Sequence, residues 1–147
     1  MPTAWRYAVP YQPDLQRALD ELRTETFRRG AYLQAWRIDR PGQEPAGISD
    51  ALAFAGPEGT HSVLDVDRVA LIRGPGRVWL APPALRVQVF GALEPTTAAV
   101  EQRRFGLVHG LDVGEGAVVI VYSPTGQPQQ LLFEGLSGGD GRTAPPR

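Results

Sequence analysis

Residues 117–122 read Ala-Val-Val-Ile-Val-Tyr, a nearly continuous apolar run dominated by β-branched side chains. A run this short and this apolar is a strand in the interior of a sheet, buried on both sides. Ser123-Pro124-Thr125-Gly126-Gln127-Pro128 then supplies turn chemistry, and Gln130, Leu131, Leu132, Phe133 and Glu134 form a returning strand. The chain is therefore expected to contain a C-terminal β-hairpin, with 117–122 as a central strand.

The second constraint is a helix over 13–29. Pro13 suits the first helical position, and Asp14 suits the positive end of the helix dipole. Leu15, Ala18, Leu19, Leu22 and Thr26 form one stripe at helical spacing. Arg28 and Arg29 stand at the negative end, Glu25 lies one turn before Arg29, and Gly30 can take the left-handed cap. Before this helix, Trp5, Tyr7, Val9 and Tyr11 alternate along one face of a strand that Pro10 ends or marks as an edge. After it, Tyr32, Leu33, Trp36 and Ile38 predict a second strand over 31–38.

The middle of the chain is less regular. Residues 39–47 hold two Pro and two Gly and read as a loop, and Ile48, Ala51, Leu52 and Ala55 mark a two-turn helix closed by Gly56-Pro57. Residues 60–72 fit neither period cleanly and lean towards strand on their β-branched content. Pro82-Pro83 opens a helix running to Gly91, and Thr96 or Thr97 caps another through Arg104. Gly74-Pro75-Gly76 and Gly114-Glu115-Gly116 read as turns. Together these elements predict a single α+β domain over 1–136, a mostly antiparallel sheet with helices packed on one face and a C-terminal β-hairpin. Residues 137–147, rich in Gly, Pro and polar groups, are expected to form a mobile tail.

Composition narrows the chemistry. Of 147 residues, 15 are basic and all of these are Arg; there is no Lys, no Cys, and only His61 and His109 as imidazoles. Schiff-base chemistry, a P-loop lysine, thiol nucleophiles, disulfides and thiolate metal sites are excluded. Asn is also absent while Ala, Gly, Pro and Arg abound, so coding bias accounts for most of the pattern. A net charge of −1 supplies no basic footprint for nucleic acid. No apolar run reaches the roughly 20 residues that span a bilayer, and no signal peptide is visible at the start. A cytoplasmic protein without membrane contact is expected.

Residues 58–68, Glu-Gly-Thr-His-Ser-Val-Leu-Asp-Val-Asp-Arg, combine imidazole, carboxylates and hydroxyls. In an extended chain His61 and Asp65 stand about 13 Å apart, too far for one hydrogen bond or one metal ion. In a helix they become neighbours, and a carboxylate-oriented imidazole acting as general base, or a weak divalent-metal pair, becomes possible. His61, Asp65 and Asp67 are the catalytic candidates. The competing reading has Asp65 or Asp67 capping a turn or pairing with Arg68 and His61 bonding backbone groups. Ser62, His61 and Asp65 also spell a triad, but adjacent Ser and His point apart on a strand and no nucleophile elbow is present. His109 falls between a helix and a strand.

Trp5, Tyr7, Tyr11 and Trp36 offer an aromatic surface for a ligand or partner, with core packing beneath the first helix as the alternative. Arg28, Arg29, Arg103 and Arg104 suit a protein interface or a bidentate anion contact. The stretches Tyr7-Ala8-Val9-Pro10-Tyr11-Gln12, the segment from Ala55 through Asp65, and Phe90-Gly91 resemble small uncharacterised bacterial proteins of actinobacterial type. The resemblance implies a GC-rich bacterial origin and carries no functional residue across. No cofactor and no resident metal is expected. The function expected is that of a non-enzymatic protein-binding domain, an immunity-type or accessory partner of a larger bacterial protein. The alternatives are a small hydrolase or metal-dependent enzyme centred on His61, Asp65 and Asp67, and a small-ligand binder with an aromatic pocket.

Overall fold

A computed structural model describes residues 2–138. In chain order the elements are β1 (Thr3–Pro10), α1 (Leu15–Arg29), α2 (Ile48–Ala55), β2 (Arg68–Ala70), β3 (Arg77–Leu80), α3 (Pro83–Phe90), α4 (Thr97–Gln102), β4 (Glu115–Tyr122) and β5 (Pro128–Ser137). The strands form one sheet in the order β1-β5-β4-β3-β2. The hairpin β4–β5 lies at its centre, as the apolar run demands.

The sheet is mixed. β5 runs antiparallel to both β1 and β4 in the two long ladders. The shorter β3 runs parallel to β4 and to β2. β3 reaches β4 through α3, α4 and a 3-10 turn at Gly106–Gly110, the kind of long crossover that a parallel neighbour needs.

Alternation along the central strands sorts side chains into two cores. Val118, Leu131 and Phe133 join Trp5, Val63, Val66 and Val78 beneath Ala18 and Leu19 of α1. Ala117, Val119, Val121 and Leu132 pack on the other side against Phe90 of α3, Val100 of α4 and Leu107. The helices thus cover both faces of the sheet, where cover on one face was expected. The physical reason is in β4 itself: a strand apolar at consecutive positions must be shielded from water on both sides.

α1 follows its sequence signals closely. Asp14 is the N-cap, accepting the Arg17 N–H at 3.0 Å, so the first helical residue is Leu15 and Pro13, expected at that position, lies outside the helix. Gly30 ends it with φ 66°, the left-handed cap. The strand expected over 31–38 is absent; Ala35–Arg37 is a 3-10 turn instead. β5 already occupies the inner side of β1, and Trp36 inserts between Tyr32 and Phe54 in an aromatic stack away from the sheet. Ile38 is left 87% exposed. Residues 60–72 divide between a 3-10 turn at Val63–Asp65 and the short strand β2. Glu115 and Gly116 belong to β4, leaving Gly114 as the turn residue with φ 89°. β5 extends through Ser137, which is buried, so the domain runs past the expected boundary at 136. The rest of the expected tail, 139–147, lies outside the described residues.

Candidate functional site

The 58–68 stretch is neither extended nor helical, and its polar side chains point to different partners. Gly59 (φ 77°) and His61 (φ 54°) turn the chain through left-handed conformations, and Ser62 caps the turn at Val63–Asp65 by accepting the Leu64 N–H. Asp65 folds back on the loop. One oxygen accepts the Thr60 N–H and hydroxyl, both at 2.9 Å, and the other accepts the Ser137 hydroxyl at 2.6 Å. A Cβ on Gly59 would come within 2.6 Å of that carboxylate, so the turn requires glycine there.

His61 faces elsewhere: Nδ1 lies 3.3 Å from the Thr3 hydroxyl and Nε2 lies 3.6 Å from a Glu58 oxygen. Ser62 spends its hydroxyl on Thr60 at 2.6 Å and on Leu64. Asp67 is exposed, and its carbonyl accepts from Gln16 of α1. The structure therefore does not bring His61, Asp65 and Asp67 together, and no group of three potential metal ligands occurs among the described residues. Thr3 and Ser137 are partners across β1 and β5. Their contacts with His61 and Asp65 fasten the loop to one end of that strand pair.

The aromatic candidates are core. Trp5 is 5% exposed and lies over Gly135 and Gly116, where side chains on either would strike the indole. Tyr7 stacks beside Trp5 with ring centroids 5.7 Å apart, and its hydroxyl accepts the Val63 N–H. Burial pushes the Tyr7 hydroxyl above its usual pKa. Tyr11 packs at the margin of the same core, whereas Trp36 belongs to the separate stack with Tyr32 and Phe54. Arg28 and Arg29 pair with Glu25 on the surface of α1.

The opposite face of β1 holds a charge arrangement that sequence reasoning missed. Glu134, with no exposed surface, accepts the Phe105 and Leu107 N–H groups and the Arg6 guanidinium at 3.1 Å. Burial holds its carboxyl above the usual range, although these donors pull it back. Arg6 also reaches Glu101 at 2.7 Å, and Glu101 binds Arg104 at 2.7 Å. A carboxylate ending the apolar run 131–133 was the available signal, since a buried charge has to find a cation.

The two sheet edges differ. On β2, the Gln16 carboxamide accepts the Val69 N–H at 2.8 Å and donates to the Asp67 carbonyl at 2.9 Å, filling the place of a neighbouring strand. β1 is an eight-residue edge with no strand on its outer side among the described residues. Tyr11 N–H donates to Gln129 O in the β1–β5 register, and an antiparallel ladder bonds alternate residues. Thr3, Trp5, Tyr7 and Val9 therefore bond β5. Ala4, Arg6 and Ala8 turn their N–H and C=O groups outward, and Pro10 falls on this outward set, where its missing N–H costs no bond. Arg103, Arg104 and the exposed His109 border a hollow of about 460 Å³ on the α4 side.

No helix among the described residues is long and apolar enough to cross a membrane. No family model, curated protein or solved structure matches the chain.

Proposed function

We propose that this chain is a non-enzymatic protein-binding domain, an accessory or immunity-type partner of a larger bacterial protein in the cytoplasm. It engages that protein by accepting an extended acidic segment as a sixth strand beside β1. The observation that supports this reading is the asymmetry of the edges: β2 is plugged by Gln16, while β1 offers the outward groups of Ala4, Arg6 and Ala8. Long unprotected edges are rare in proteins with no use for them. The small side chains of Ala4 and Ala8 leave room for an added strand. Arg6 is linked through Glu101 to Arg104, and Arg103 and Arg104 line the hollow on the α4 side, which favours acidic residues in the partner.

The test combines capture and amide exchange. Mild lysis of the source cells and cross-linking should recover a stoichiometric partner with the wild-type chain. Ala8→Pro deletes an outward donor while sparing the β5 ladder, and it should abolish capture without lowering thermal stability. In the free protein the amides of Ala4, Arg6 and Ala8 should exchange quickly and those of Trp5, Tyr7 and Val9 slowly; partner binding should slow the first set. A partner retained by Ala8→Pro, or bound without protecting those amides, refutes strand addition. Absence of any stoichiometric partner refutes the binding function.

A further inference from the structure

A crevice of about 370 Å³ opens at the far side of the sheet from β1, where β3 ends and the Pro82-Pro83 turn starts α3. Leu80, Val119 and Ile120 form its wall and Leu71 its rim. Leu71 and its neighbour Ile72 are 78% and 69% exposed, an apolar knuckle on the loop between β2 and β3. The crevice lies beyond the carboxyl ends of β2 and β3, which run parallel to each other.

One charged residue lines it, Arg86. Its Nη1 donates to the Leu93 carbonyl at 2.7 Å, its Nε is buried without a hydrogen-bond partner, and no carboxylate pairs with it among the described residues. Arg6 has Glu134 and Glu101 and Arg73 has Glu115, whereas Arg23 of α1 shares the pattern of Arg86, a backbone-carbonyl partner with Nε unpartnered. A lone cation at an otherwise apolar crevice is the complement of a molecule with one anionic end and an apolar body.

We propose that this crevice binds a small amphipathic carboxylate, of about a dozen non-hydrogen atoms by its volume, with the carboxylate on Arg86 and the body against Leu80, Val119 and Ile120. The mainly apolar lining, with Arg86 its one charged side chain, argues against sugars and nucleotides. This site is independent of the β1 edge: it lies against β3 and β4, with β5 between them and β1.

Phenylbutyrate is a suitable probe and phenylbutyramide its neutral isostere. Titration of the full chain followed by amide chemical shifts should show saturable binding of the acid, about tenfold or more tighter than the amide. The shifts should be confined to Ala81, Arg86, Val119 and their neighbours. Arg86→Gln should weaken the acid about tenfold and leave the amide unchanged. Because Arg86 also anchors Leu93, Leu71→Asp on the exposed loop gives a second reading: a negative charge at the mouth should weaken the acid several-fold and the amide little. Equal binding of acid and amide would make this a plain apolar socket, such as one for a partner's side chain, and overturns the proposal. So does shift perturbation elsewhere, or acid binding indifferent to both substitutions.

Discussion

Asp65→Ala separates a structural loop from a chemical one. The substitution removes the acceptor for three donors: the Thr60 N–H, the Thr60 hydroxyl and the Ser137 hydroxyl, on two residues with no exposed surface. Each buried donor left without a partner costs about 1–3 kcal/mol, so allowing for relaxation the loss should total about 3–5 kcal/mol. With a urea dependence of about 2 kcal/mol per molar, the unfolding midpoint should fall by about 2 M. Asp65→Asn keeps one oxygen on Thr60 and should lose about half as much. His61 should behave in the opposite way. Its one short contact is the 3.3 Å approach to Thr3, and its φ of 54° is strained for any residue but glycine. His61→Gly relieves that strain, offsetting the lost contact, and should stay within about 1 kcal/mol of wild type. Equilibrium urea unfolding by fluorescence of the three tryptophans provides the assay. An Asp65→Ala midpoint within 0.5 M of wild type, or a His61→Gly loss above 1 M, would refute the account of this loop.

Two further expectations concern the sheet. Gly135→Ala drives a Cβ into the Trp5 indole and should cost about 3 kcal/mol; in a Trp5→Leu background most of that penalty should vanish, and an equal penalty in both backgrounds would contradict the close approach. Glu134 has a carboxyl raised above its ordinary value of 4.5, so its contribution is fully present below that pH and is lost as pH rises through the folded value. The stability of wild type relative to Glu134→Gln should therefore decline as pH increases from about 4.5, and denaturation series that show the difference growing would reverse the sign of the argument.

Sequence and structure agree where the code is local. The first helix carried its own stripe and terminating glycine, and Gly30 takes the cap these imply, while Asp14, read as a residue of the first turn, is the N-cap itself. Helices at Ile48–Ala55, Pro83–Phe90 and Thr97–Gln102 were legible for the same reason, since capping and periodicity act within a few residues. The hairpin was visible because its run and turn are contiguous. Pro10 signalled an edge because proline cannot donate to a ladder.

Tertiary structure decided what depends on distant partners. Residues 31–38 have a strand-like composition, yet β5 takes the place beside β1, and Trp36 finds its partners in Tyr32 and Phe54. The 58–68 stretch held the right residue types for chemistry, but Thr3 and Ser137, paired from opposite ends of the chain, draw His61 and Asp65 apart. Gln16 lies off the apolar stripe of the first helix and gives no local signal, and its role as a plug on β2 requires the helix to lie across that edge. Periodicity and caps are set by neighbours in sequence, so the chain alone determined its helices and its central hairpin. Which edge lacks a neighbouring strand among the described residues, how Glu134 comes to be buried and which arginine lines the apolar crevice arise from contacts between residues far apart in sequence, and these only folding could settle.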